Sequence, residues 1–328
     1  MGEKQLVKNV SWKCQLEMIL ERIYHHKKFL LKSVLENFQS QNLQPKIGVE
    51  LEFYIQHHSL PANAELTKQF IDHLKSEISK HNINLLDIEP EQGIGQIEIK
   101  TLPYLDIIKL CDDISQIKKI TQSLSQDFQI NFSSQPYENE CGSALQINFS
   151  LMNENNFLFA KTHGQESKYL LHSIAAALKF THNMMIIFAP KPEDYLRFGL
   201  ELNRNLHKQK KYTAPVNIGW GYNNRSALIR VPATQTISER RLEFRLGSSS
   251  ADIYLTSTFF LLAILQGIKK EDKLPSEIYG NSFDDQYDLK PLPSYEEAKS
   301  HFLNNDLTNE ILFILDSNKL DYNSRDCS

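Results

Sequence analysis

Apolar and polar residues alternate most strictly in a few short stretches. Residues 46–56 put Ile47, Val49, Leu51, Phe53 and Ile55 on one side and Gly48, Glu50, Glu52 and Tyr54 on the other. This period of two marks a strand with one buried face. Residues 96–102 set Ile97 and Ile99 against Gln96, Glu98 and Lys100, after a turn at Gly93-Ile94-Gly95. Residues 143–151 set Leu145, Ile147, Phe149 and Leu151 against Ala144, Gln146, Asn148 and Ser150. Residues 240–246 carry Arg241, Glu243 and Arg245 on one face. The segment 213–232, TAPVNIGWGYNNRSALIRVP, reads as a strand over 216–220, a Gly/Asn turn over 221–224 and a second strand over 226–231. Arg225 and Arg230 bracket that second strand. Shorter strands are expected at 83–89 and 128–132.

A period of three to four marks the helices. Residues 10–41 read as one long amphipathic helix through Leu16, Leu20, Ile23, Phe29, Leu30, Val34 and Phe38. Further helices are expected at 64–80, at 106–126 with Asp106 as its cap, at 168–187, at 252–268 and within 295–317. Residues 254–268 are too short, and too interrupted by Thr and Ser, for a membrane span, so they read as a core helix. Residues 193–212 are polar and aperiodic and read as a mobile loop; 271–294 read as loop and the tail as frayed.

These elements predict an α+β fold: a curved, mostly antiparallel sheet with helices packed outside and a charged concave face inside. The expected organisation is an N-terminal helical segment (1–45), a main domain (46–270) and a loop with C-terminal helices (271–328). A length of 328 residues permits a sizeable core. The net charge of −4, with no basic block, argues against a nucleic-acid scaffold. Four cysteines without a CxxC spacing suggest neither a zinc site nor a disulfide framework, which fits a reducing cytoplasm.

The polar strand faces carry the candidate chemistry. Glu50 and Glu52 share a side, about 7 Å apart, and like carboxylates that close repel unless a cation lies between them. Glu98 and Glu243 extend a set of hard oxygen donors suited to Mg²⁺ or Mn²⁺. Arginines beside such a set suit a polyphosphate and a carboxylate substrate. Two plainer alternatives stand beside this reading: a solvated outer sheet face, and internal Glu–Arg pairs.

Six motifs, in order, resemble those of the glutamine synthetase catalytic domain: GVELEF at 48–53, EQGIGQIE at 91–98, GSALQINFSL at 142–151, YLR at 195–197, APV…W…NRSA.IR.P within 213–232, and RRLEFR at 240–245. The helix 251–268 resembles the one that follows in that family. The resemblance implies an ATP-dependent carboxylate–amine ligase using two divalent ions. Glu52, Glu91 and Glu98 would hold the metal near the substrate carboxylate, and Glu50 and Glu243 the metal on the nucleotide phosphates. Gln146 stands where the family has a metal-binding His. Arg197 would bind the amino acid's carboxylate, and Arg225, Arg230 and Arg245 would neutralise the transferring phosphoryl group and the acyl phosphate. Asn148, Ser150, Arg230 and Arg241 would contact the nucleotide.

Four departures qualify that picture. Gln146 is a neutral ligand, Asn148 replaces a second motif His, and Thr213 falls where the family has the glutamate guarding its ammonium pocket. Residues 1–45 read as helix, not as the family's N-terminal β-grasp domain, so a homo-oligomer is expected to differ from a double ring with shared sites. The implied substrates are ATP, a glutamate-like carboxylate and ammonia or an organic amine. A non-catalytic relative that binds nucleotide and metal, and a ligase of the glutamate–cysteine type, remain as alternatives.

Overall fold

The alternating stretch around Glu50 becomes the central strand of a ten-stranded sheet in the computed structural model, which describes residues 12–125 and 128–320. The strands are β1 (Gln44–His57), β2 (Leu60–Pro61), β3 (Leu85–Pro90), β4 (Gln96–Thr101), β5 (Gln129–Asn131), β6 (Ala144–Asn153), β7 (Asn156–Phe157), β8 (Trp220–Tyr222), β9 (Ile229–Val231) and β10 (Leu242–Ser248). Their spatial order is β3-β4-β1-β6-β10-β9-β8, with β2 and β5 paired to β1 and β7 to β6. Every pairing is antiparallel except β8 with β9, which run parallel. The turn expected at 221–224 therefore does not close a hairpin. Asn224 instead ties the connection outward, donating to the carbonyls of Ile278 and Gly280, and brings β9 in beside β10.

The helices are α1 (Trp12–His25), α2 (Lys27–Ser40), α3 (Ala64–Ser79), α4 (Ile107–Ser123), α5 (Lys168–Lys179), α6 (Thr181–Phe188), α7 (Leu200–Lys208), α8 (Ile253–Lys270), α9 (Tyr295–Leu303) and α10 (Asp306–Ser317). Asp106 caps α4 through Lys109 N, as its sequence position predicts, and Asp252 caps α8 through Tyr254 N and Leu255 N. The apolar faces of the strands meet these helices. Phe260 of α8 packs edge-on against Phe149 of β6, with ring centroids 5.3 Å apart, and lies 5.2 Å from Phe244 of β10. Ile47, Val49, Leu51, Phe53 and Ile55 of β1 are all buried, so the face opposite them is the one left for chemistry.

Three expectations about the helices change. The single helix over 10–41 is interrupted at His26, whose φ of −103° and ψ of 15° leave the helical range; residues 10 and 11 lie outside the described residues. The helix expected over 168–187 bends by 71° between α5 and α6, where Phe180 has left helical geometry. Among the described residues no single helix is long and apolar enough to cross a membrane. The third change is the largest. Most of residues 193–212 is not a loop: a 3-10 turn spans Pro192–Phe198 and α7 follows to Lys208, leaving only 209–212 irregular. Buried polar groups order this segment. The Asp194 carboxylate accepts from Lys191 N and from the hydroxyls of Ser134 and Ser250. Asn203 donates to the carbonyls of Arg197 and Gly199 and accepts from Ala214 N. The expected fraying of the tail concerns residues that begin at 321, outside the described ones.

Candidate active site

Register places the polar residues in rows. Glu52 lies opposite Glu98, and Glu50 opposite both Lys100 and Gln146. Asn148 faces Glu243, which faces Arg230. The turn that feeds β4 is tight: a Cβ on Gly93 would stand 1.9 Å from the Tyr54 hydroxyl oxygen, and Gly95 has a φ of +77°. Gln96 fastens the turn by accepting from Gly93 N at 2.9 Å and donating to the Gly142 carbonyl at 3.2 Å. Tyr54, fully buried, donates to the Cys141 carbonyl at 2.7 Å.

These rows form one wall of a cavity of about 530 Å³. Five carboxylates line it (Glu50, Glu52, Glu89, Glu91, Glu98), facing six basic side chains (Lys100, Arg197, Arg225, Arg230, Arg241, Arg245), with Gln146, Tyr212 and Thr213 among the rest. Ten of the residues that the sequence singles out thus share one hollow. Asn148, Ser150 and Glu243 do not line it, although Asn148 donates to Glu50 and accepts from Arg241, and Glu243 lies beneath the arginines. The alternative of an outer solvated face does not hold for this wall: Glu52, Glu98 and Arg245 are each less than a tenth exposed.

The alternative of internal ion pairs does hold for Glu243. Its two oxygens meet Arg230 Nη1 at 2.8 Å and Arg245 Nε at 3.3 Å. The remaining donors of Arg245 go to the carbonyls of Arg225, Ala227 and Thr213. Arg197 is likewise turned inward. Its guanidinium donates to the carbonyls of Leu246 at 3.1 Å and Gly247 at 2.9 Å, which accounts for donors expected to meet a substrate carboxylate. Burial lowers its pKa to about 10 and holds the Arg245 guanidinium below its usual range. Arg225 differs: it is exposed and lies over the Tyr212 ring, 4.4 Å from its centroid.

The acidic side is under electrostatic stress. Burial, then the neighbouring Glu91, pushes Glu52 up to about 7, against bonds from Ala144 N and Gln146. Burial and the charges of Glu50 and Glu52 push Glu98 up to about 9. Burial raises Glu91 as well. The amide of Gln146 donates to Glu52 at 2.9 Å, while its buried Oε1 has no hydrogen-bond partner among the described residues. Sequence reasoning assigned no role to Lys100, which donates to Glu98 at 2.7 Å and also to Glu89. Its place two residues after Glu98, on the same strand face, was the available signal.

The sequence pattern of the glutamine synthetase catalytic domain matches residues 56–317. The chain belongs to the glutamine synthetase family. Relatives in this family include the gamma-glutamylputrescine synthetase PuuA of Escherichia coli, 25% identical over 84% of this chain and 62% of its own length. Another is the glutamine synthetase of Thermococcus kodakarensis, 28% identical over 90% of this chain and 69% of its own length. The chain thus spans under two thirds of the first relative and little more of the second. A solved structure described as a GmaS/ADP complex superposes with a TM-score of 0.76 at 19% identity, covering 87% of this chain and 70% of the other. The glutamine synthetase fold is therefore present.

A family metal can be tested against these side chains. Among the described residues, no three carboxylates, histidines or cysteines are gathered as a ready cage. On the Glu52, Glu91 and Glu98 side, however, the donors suit a hard cation: mutually repelling carboxylates and an orphaned amide oxygen, all oxygen ligands. The Glu50 and Glu243 side fits poorly, because Glu243 is already neutralised by two arginines.

Proposed function

We propose that this chain is an ATP-dependent carboxylate–amine ligase that phosphorylates the side-chain carboxylate of glutamate, or a similar acid, and joins it to ammonia or an organic amine. The observation that carries this reading is the opposition of carboxylates and basic side chains across one cavity. Family membership supports it, and the names of the relatives in Escherichia coli and Thermococcus kodakarensis supply the two classes of amine.

In the first step a carboxylate oxygen attacks the γ-phosphorus, the bond to the bridging oxygen breaks, and ADP leaves. In the second, the amine nitrogen attacks the acyl carbon and loses a proton, while phosphate departs with the oxygen that the carboxylate supplied. Both steps spread negative charge over phosphoryl oxygens, so fixed positive groups lower the barrier. Arg230, anchored by Glu243, is preorganised for that task, while Arg245, its donors taken by Glu243 and main-chain carbonyls, adds fixed positive charge to the wall. Arg225, exposed over Tyr212, is free to close on the group in transfer. Arg241, steadied by Asn148, is assigned to the nucleotide. Arg197 braces the main chain of β10 and sets the position of Arg245. Glu52, Glu91, Glu98 and Gln146 would hold Mg²⁺ or Mn²⁺, which when bound neutralises phosphoryl charge and orients the carboxylate.

A second reading, a relative that binds nucleotide without turnover, is favoured by the lack of a ready-made cage among the described residues and by the inward-turned Arg197. ADP release with Mg²⁺, glutamate and a panel of ammonia, putrescine and amino acids including cysteine separates the two. Amine-dependent ADP release supports the ligase. ATP binding without ADP release from any amine overturns it.

A further inference from the structure

Lys100 occupies an unusual place for an ammonium group. It donates to Glu98 at 2.7 Å and also holds Glu89, and it lies across the strand pair from Glu50, so two carboxylates bind it and a third stands opposite. Glu98 is already almost wholly covered, with its side chain 6% exposed. A cation held by the chain at this point does part of what a bound dication would do: it offsets repulsion between acidic groups that otherwise could not ionise together.

One donor that would take a second ion is taken as well. Glu243 has both oxygens on arginines, so the carboxylates left to hold such an ion are Glu50 and Glu89, the two beside Lys100. Glu50 is linked through Asn148 to Arg241, so a second dication there would sit beside fixed positive charge. On the Glu52 side the balance is the reverse. Glu52, Glu91 and Glu98 line the cavity together there, and the Gln146 oxygen is unpartnered. Positive charge is still wanted there.

We propose that the Lys100 ammonium is a built-in cation that replaces one of two divalent ions, so that the nucleotide-free protein binds a single divalent cation, at Glu52, Glu91, Glu98 and Gln146. A further dication enters only on the phosphates of the nucleotide. The inference rests on reading this cavity as the ligase site, but its test counts bound metal and needs no turnover.

Metal-free protein is titrated with Mn²⁺ in the absence of nucleotide, with free Mn²⁺ followed by electron paramagnetic resonance and bound metal checked by equilibrium dialysis. The expected count is one ion per chain. Lys100→Met is expected to raise it to two, Lys100→Arg to leave it at one, and Glu50→Gln in the Lys100→Met background to return it to one. Two ions in the unsubstituted protein overturn the inference while leaving the ligase reading in place. So does a count that stays at one in Lys100→Met protein with unchanged circular dichroism. No bound Mn²⁺ at all overturns the reading of the cavity itself. If Lys100→Met fails to fold, the count in the unsubstituted protein still decides.

Discussion

Replacing Glu98 with Gln should stabilise the metal-free protein while abolishing the proposed ligase turnover. Glu98 is pushed from an ordinary value of 4.5 to about 9 by burial and by Glu50 and Glu52. A carboxyl whose folded pKa is raised favours folding fully at pH below its unfolded pKa, and that contribution is lost as pH rises towards the folded value. The window runs from about pH 4.5 to about pH 9. At pH 7 the loss amounts to about 3 kcal/mol if Glu98 acted alone, at about 1.4 kcal/mol per unit. Glu52 and Glu91 share the same field, so about 1–3 kcal/mol is the fair expectation for the Gln variant. Gln keeps an acceptor for Lys100 and removes the ionisation. Thermal unfolding in EDTA between pH 5 and 9 should show the unsubstituted protein losing stability as pH rises, with Glu98→Gln flatter and a few degrees more stable at pH 8. Adding Mg²⁺ should reverse the ranking, because only the unsubstituted site retains its full set of charged ligands. A variant that is less stable throughout, or an unsubstituted curve that is flat in EDTA, would refute this reasoning.

Other consequences follow from single contacts. Asp194→Ala removes the acceptor for Ser134, Ser250 and Lys191 N at a fully buried position; a cost of roughly 2–4 kcal/mol is expected, with earlier proteolysis within 192–212, and unchanged digestion would contradict it. Gly93→Ala drives a methyl into Tyr54 and should cost about 1–3 kcal/mol, measured by urea unfolding; a neutral result would mean the turn relaxes freely. Tyr212→Ala leaves Arg225 without its ring; kcat/KM for ATP should fall about two- to fivefold, matching a cation–π contact of about 0.5–1 kcal/mol, and an unchanged value would remove Arg225 from the phosphoryl site.

The strands that build the wall were legible because each sets a charged face against an apolar one, as in β1 and β6. Those faces also indicated which carboxylates would meet. The segment around Arg197 was not legible, since Asp194 and Asn203 order it through buried hydrogen bonds that leave no hydrophobic period. The parallel pairing of β8 with β9 escaped for a different reason: three-residue strands carry too little alternation to set direction, and the decisive ties run from Asn224 to carbonyls more than fifty positions away. The motif match placed Glu243 among the metal ligands, but a motif carries no information on which partner a side chain has already taken. Here the partners are Arg230 and Arg245. Lys100 lay in plain view on the strand face, and what it does becomes visible only with β3 alongside and Glu89 in reach.

The most direct test of the ligase account is isotope transfer. Glutamate carrying ¹⁸O in its side-chain carboxylate is incubated with the protein, Mg²⁺, ATP and the amine that releases ADP, and the inorganic phosphate is examined by mass spectrometry. An acyl phosphate requires one labelled oxygen in each phosphate released. Turnover that yields phosphate without label would contradict activation of the carboxylate and, with it, the function assigned to this cavity.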